Sequence, residues 1–226
     1  MALIRLLDTL LDEHGDVAVR GLERVPYGGV EIPVEKYRAD RGLLPGIDLI
    51  GHGSIGDRVA DNPAINVIGM QAPDIASARN IIVPVAGARI SVRLAPTQDP
   101  ADAQALVARH LQEYAPWNVR LRVTKGEIGR GYLASSGGRV RDVARRSLED
   151  AYGRPVIELG DGGSIPLVAA FGEAAPQAEI VLIGVADPDT RPHAPNESLD
   201  LGELERTTLA EALLLQRLAH ASDASM

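Results

Sequence analysis

The sequence predicts an α+β module, an antiparallel sheet with helices on one face, over residues 1–127, followed over 128–226 by the carboxyl-terminal part of a layered α/β domain. Three observations carry this expectation. Up to about residue 125 the patterns run helix, strand, strand, helix, strand, an order that suits helices laid on one side of an antiparallel sheet. After Gly126 helical and strand patterns alternate regularly, as in a layered α/β sheet. Apolar residues make up 45% of the 226 residues, enough for a core built from Ala, Val, Leu and Ile.

Taken in order, Leu3, Leu6, Leu7, Leu10 and Leu11 share one helical face, with Asp8, Asp12 and Glu13 away from it and Gly15 placed to end the helix. No capping Ser, Thr, Asp or Asn precedes this pattern, so the chain is expected to begin as though an upstream element were missing. Residues 20–63 are rich in Gly and Pro and read as a long connecting segment with one short helix near 33–41. Strands are predicted at 64–69, 81–94 and 118–124, the last two alternating through Ile90, Val92, Leu94 and Val119, Leu121, Val123. Asp99-Pro100 opens a helix to about 114, an N-cap carboxylate followed by the residue whose missing N–H costs nothing at that position. Beyond the boundary near 126–132 come helix 138–152, strand 155–159, helix 164–173, strand 179–186 and helix 200–220.

Composition removes several classes of function. Aromatic residues are 3% of the chain and the net charge is -8, which argues against a nucleic-acid partner needing stacking platforms and a basic face. Arg139, Arg141, Arg145 and Arg146 form one basic cluster, and their spacing with Glu149 and Asp150 reads as a solvated helix face. Cysteine is absent, so there are no disulfides, thiolate nucleophiles or cysteine-ligated zinc. Any metal must sit on His, Asp or Glu. No apolar run approaches the roughly 18 residues of a membrane span, and no leader pattern is evident, so the expected location is the cytoplasm.

Two stretches carry chemistry. Strand 155–159 feeds Asp161-Gly162-Gly163-Ser164-Ile165-Pro166, a turn whose backbone N–H groups and Ser164 hydroxyl suit an anion at a helix start. The plain alternative is an ordinary N-cap. Strand 179–186 leads to Arg191-Pro192-His193-Ala194-Pro195-Asn196-Glu197, in which the prolines restrict both neighbours of His193. A neutral imidazole there could ligate zinc, with Asn196 or Glu197 orienting it; a surface histidine is the alternative. His14-Gly15-Asp16 reads as a helix stop and His52 as a loop histidine. Ser164 and His193 do not make a hydrolase dyad, since Gly-Gly-Ser-Ile-Pro lacks the Gly-x-Ser-x-Gly elbow and no third member is evident.

The pairing of Gly-Gly-Ser-Ile-Pro with His193-Ala-Pro-Asn196-Glu197 resembles the di-zinc metallopeptidases that include carnosinases, bacterial dipeptidases, aminoacylases and succinyl-diaminopimelate desuccinylases. Asn80-Ile-Ile-Val-Pro84, Arg93 within Ser-Val-Arg-Leu-Ala-Pro, and Gln98-Asp99-Pro100 are similar to the lid strand of that family, and the opening helix with Asp16-Val-Ala-Val to the lid's first helix. The likeness runs from residue 1 to about 218. It implies that Arg93 and Ser164, with Gly163, grip a substrate carboxylate, that Asn80 reaches toward the scissile carbonyl, and that His193 ligates zinc with Asn196 and Glu197 behind it. A guanidinium and helix N-terminal donors are chemically suited to a carboxylate.

The resemblance also implies two zinc ions, with cobalt or manganese as possible substitutes, a small peptide or N-acyl amino acid substrate, and a homodimer. The upstream stretch that holds most of the family's metal ligands and its general base has no counterpart here, so no residue of this chain is expected to be catalytic. Residues 1–127 are accordingly expected to be a lid or dimerisation domain lacking its first strand, and 128–226 the tail of the catalytic domain, completed by a missing amino-terminal half. The expected function is the carboxyl-terminal portion of a zinc-dependent dipeptidase-like protein, inactive alone. A non-catalytic carboxylate-binding, peptide-binding or dimerisation protein is the alternative, and a fragment unable to fold is a third.

Overall fold

The computed structural model describes residues 1–133, 137–160 and 166–223. They form two compact units, one of residues 1–33, 44–131, 160 and 166, the other of 34–43, 132–133, 137–159 and 167–223.

The first unit is built on helix α1 (Ala2–Asp8), strands β1 (Ala64–Gln71) and β2 (Gly87–Arg93), and helix α3 (Pro100–Glu113). The strands pair antiparallel, with Ile65 opposite Val92 and Val67 opposite Ile90, and an irregularity between Val67 and Gly69 shifts the register. One apolar cluster joins them: Leu6, Leu10, Val17, Val19, Ile65, Val107 and Leu111 are buried together, with Ile90, Val92 and Val123 packed against them. Helices on one face of a small antiparallel sheet are therefore present as expected. The α3 start follows its sequence signal, Asp99 accepting from the N–H groups of Ala101 at 2.8 Å and Asp102 at 3.1 Å with Pro100 in the first turn.

Three elements differ from expectation. Helix α1 stops at Asp8, well before Gly15, because the Thr9 hydroxyl donates back to the Leu6 carbonyl at 2.7 Å and the Asp12 carboxylate accepts from the His14 and Asp16 N–H groups, drawing the chain into a turn. Strand 81–94 shortens to Gly87–Arg93, since Pro84 has no N–H to give a ladder. The run 118–124 pairs with no strand among the described residues; only Val123 reaches the core, while Val119 and Leu121 stay exposed. Helix α3 is fastened to the end of α1 by the buried His110, whose Nε2 lies 2.9 Å from the Thr9 carbonyl oxygen. A carbonyl can only accept, so this nitrogen carries the proton.

The second unit contains α2 (Val34–Asp40), α4 (Arg139–Tyr152), α5 (Pro166–Ala174) and α6 (Leu201–Asp223). Helices α4 and α6 pack through the buried Ala144, Ser147, Thr207 and Ala210. Ser147 donates to the Val143 carbonyl at 2.8 Å and accepts from Arg217 at 3.1 Å, and Tyr152 meets Thr207 at 2.7 Å, so the polar groups of this seam are satisfied. Gly153 ends α4 at φ 65°, the left-handed conformation that glycine adopts without a Cβ penalty.

The expected strands 155–159 and 179–186 are not paired among the described residues, so the layered sheet predicted for 128–226 is not formed by them. Burial alternates along both runs: Val181, Ile183 and Val185 are half-buried while Leu182, Gly184 and Ala186 are exposed. Alternation reports one covered side; it does not supply a neighbouring strand. The first run is instead pinned to α4 by Glu158, which binds Arg141 and lies 2.7 Å from Arg145. The hydrogen bonds from Arg141 and Arg145 outweigh the cost of burial and hold the Glu158 carboxyl below its usual range. Two of the arginines read as a solvated face are thus engaged within the unit.

Candidate functional site

Asn80 and Arg93 belong to the first unit. Asn80 is exposed at the centre of a tight turn in the β1–β2 connection, where the Ile81 N–H donates to the Arg79 carbonyl at 2.8 Å. The same connection exposes Ile75 at 93% and Ile82 at 95%. Arg93 is exposed as the last residue of β2, opposite Ala64. Both sit where a ligand could reach them. Gly163 and Ser164 lie outside the described residues.

His193, Asn196 and Glu197 share one loop of the second unit. The loop is closed at its base by Thr190, which is only 6% exposed while residues 191–200 are all exposed. The Thr190 hydroxyl accepts from the Asp187 N–H at 2.9 Å, its own N–H donates to the Asp187 carbonyl at 3.2 Å, and its carbonyl accepts from the Ser198 N–H at 3.0 Å. Between these ties, Arg191, His193 and Asn196 have φ of 52°, 63° and 63°. Left-handed backbone is tolerated by Asn and costs about 1–2 kcal/mol for other non-glycine residues, so the loop is held in a conformation it would not adopt unaided. Glu197 contributes by accepting the His193 backbone N–H at 3.3 Å. It reaches the histidine through the backbone and leaves the imidazole exposed.

One exposed histidine on a fixed loop suits a single place in a metal's coordination shell. Among the described residues, no group of three or more His, Asp or Glu side chains is arranged to hold a metal ion. The donors described here therefore fit one ligand and not a complete centre. Among the described residues, no helix is long and apolar enough to cross a membrane.

Sequence reasoning missed a second polar cluster. His52 Nδ1 lies 2.6 Å from the Asp16 carboxylate, which also accepts the His52 N–H and faces Arg24 at 3.8 Å, and the His14 ring meets the His52 ring edge-on at 4.5 Å. Burial pushes the Asp16 carboxyl up, but the hydrogen bonds from His52 and the Arg24 charge carry it below its usual range. No local sequence signal announced it: Gly15 and Gly51, at positive φ of 88° and 78°, shape two turns distant in sequence, and the Gly51 N–H reaches the His14 carbonyl at 2.7 Å. This cluster straps the long 20–63 segment to the turn after α1.

The peptidase dimerisation domain family matches residues 1–119. A cysteinylglycine-S-conjugate dipeptidase of Corynebacterium striatum is 33% identical over 220 residues, covering 95% of this chain and 48% of that protein. The dipeptidase Dug1p of Saccharomyces cerevisiae superposes with a TM-score of 0.78 at 20% identity, over 95% of this chain and 47% of its own. Human carnosine dipeptidase 1 gives a TM-score of 0.78 at 23% identity, over 95% and 48%. At those identities the two structures establish likeness of fold. The chain spans about half the length of the relatives it matches.

Proposed function

The chain belongs to the M20 peptidase dimerisation-domain family, and from that premise we propose that it is the carboxyl-terminal portion of a zinc-dependent dipeptidase-like metallopeptidase, inactive by itself. Residues 1–127 act as its lid and dimerisation module and 128–226 as the tail of its α/β catalytic domain. The observation that carries this reading is the His193 loop: a histidine presented on a strained, locked backbone, in a chain whose described residues assemble no metal centre.

In the complete protein, His193 supplies one zinc ligand, Asn196 and Glu197 brace its loop, Arg93 with Gly163 and Ser164 grips the carboxylate of a dipeptide or N-acyl amino acid, and Asn80 faces the amide carbonyl. Bound zinc, or cobalt or manganese in its place, contributes Lewis acidity toward the scissile carbonyl and the attacking water. The amino-terminal half brings the remaining ligands and the general base. Its strands are the proposed partners of runs 155–159 and 179–186, whose exposed Leu182, Ile157 and Leu159 are apolar surface suited to being covered. Homodimerisation through the first unit is supported by the exposed Ile68, Met70, Ile81 and Ile82 around β1 and the β1–β2 connection.

The test is hydrolysis of simple dipeptides by the 226-residue chain with added zinc. No turnover is expected, and measurable turnover abolished by His193→Ala contradicts the incompleteness. The second reading is a non-catalytic carboxylate- or peptide-binding or dimerisation protein, for which the exposed Arg93 at the end of β2 is the observation. Micromolar dipeptide binding by the isolated chain, lost in Arg93→Ala and unaffected by zinc, selects it.

A further inference from the structure

The buried His110 has a ring nitrogen to spare. Its Nε2–H is committed to Thr9, and Nδ1, the bare acceptor of that tautomer, has no hydrogen-bond partner among the described residues. No fully buried side-chain nitrogen or oxygen among them lacks a partner, so Nδ1 is reached from outside, through the cavity that His110 lines. This cavity holds about 160 Å³, the share of about five water molecules, and lies against α3 in the first unit.

Three charged side chains line the same space, Arg20, Arg109 and Glu113, and none of them makes an ion pair or hydrogen bond among the described residues. Arg109 and Glu113 are four apart on α3, a spacing at which opposite charges commonly meet, yet here they stand beyond ion-pair reach with the cavity beside them. The walls are fixed. Val19 is buried on one side of Arg20, and on the other Gly21, at φ 90°, turns the chain against Leu106, a methyl of which lies 3.1 Å from where a Cβ would stand. Tyr114 closes the end of α3 and stacks on the His110 ring at 4.5 Å.

We propose that this cavity binds a small α-amino acid in its zwitterionic form: the Arg20 and Arg109 guanidiniums take the carboxylate, and Glu113 with His110 Nδ1 takes the ammonium. Two guanidiniums alone would suit any small anion. A carboxylate and a bare nitrogen acceptor beside them repel a plain anion and call for N–H donors on the same ligand, which selects the zwitterion. The site stands on the first unit alone and does not depend on the metal-ligand role of His193. For a chain that works as proposed above, its ligand belongs to the product class of the reaction.

Glycine, acetate and methylammonium are each titrated into the full chain at neutral pH and followed on the histidine imidazole resonances in NMR spectra. Glycine is expected to shift His110 with a midpoint on the order of 1 mM, leaving the other four histidines in place. Acetate and methylammonium, each carrying half of the ligand, are expected to need at least about tenfold more. Arg20→Gln and Arg109→Gln are each expected to raise the glycine midpoint about tenfold, and Glu113→Gln to raise it about threefold while lowering that of acetate. All three positions are exposed, so the substitutions leave the fold intact, which unchanged α3 amide resonances verify. The proposal is overturned by a His110 resonance that glycine does not saturably move, by a midpoint that neither arginine variant changes, or by a shift shared equally by all five histidines. Acetate binding as tightly as glycine also overturns it, leaving a plain anion site.

Discussion

Asp57 is tied by a reciprocal box. Its carboxylate accepts the Ser54 N–H at 2.9 Å while its own N–H donates to the Ser54 hydroxyl at 3.1 Å, and the other carboxylate oxygen takes the Tyr27 N–H at 2.8 Å. The Tyr27 N–H, then the Ser54 N–H and hydroxyl, hold its carboxyl below the usual aspartate range. The folded value lies below the unfolded one, so the stabilisation is fully present above about pH 4 and is lost as pH falls through the folded value. Asp57→Ala is therefore expected to cost about 1 kcal/mol in urea melts at pH 7, with the difference from the parent chain vanishing in the acid limb; a difference independent of pH contradicts this. At this scale the sequence was uneven in what it disclosed. Asp99-Pro100 announces its cap because every partner lies within three residues. The Asp16–His52 tie joins turns far apart in the chain, and Thr190 is an ordinary loop threonine until its burial is seen, so neither could be read from local pattern.

Helix α1 and α3 hold the first unit together through residues whose spacing was legible and whose limits were not. Leu10 falls past the end of α1, yet at 2% exposure it is among the most deeply buried side chains of the cluster. Leu10→Ala is expected to destabilise the first unit by about 2–5 kcal/mol, read as a lowered denaturation midpoint with far-UV circular dichroism otherwise intact; a loss below about 1 kcal/mol would show that the site collapses around the smaller side chain. Periodicity found this leucine because a face pattern survives when a helix turns into a capped loop. The strand predictions divide the same way. Runs 64–69 and 81–94 found each other as β1 and β2 because the connection between them lets them pair. Runs 118–124, 155–159 and 179–186 are as apolar but acquire no ladder among the described residues, since an apolar run reports burial and a ladder depends on a second backbone.

As a whole molecule, the chain pairs family membership over 1–119 with coverage of about half of each relative. On the proposed dimerisation through the first unit, sedimentation velocity at micromolar concentration is expected to give a dimer that Met70→Glu and Ile82→Glu together convert to monomer, whereas a parent chain that sediments as a monomer removes the proposal. The whole-chain likeness was legible because the motifs at Asn80, Arg93 and His193 are spread over most of its length. Their joining in one site stays a proposal, since Asn80 and Arg93 belong to one unit, His193 to the other, and Gly163 and Ser164 lie outside the described residues. The central claim is that this chain brings one metal ligand to a centre completed elsewhere. Equilibrium dialysis of the 226-residue chain against micromolar zinc tests it most directly. The account predicts no tightly retained zinc, with only weak binding that His193→Ala removes. Two zinc ions retained per chain would contradict it.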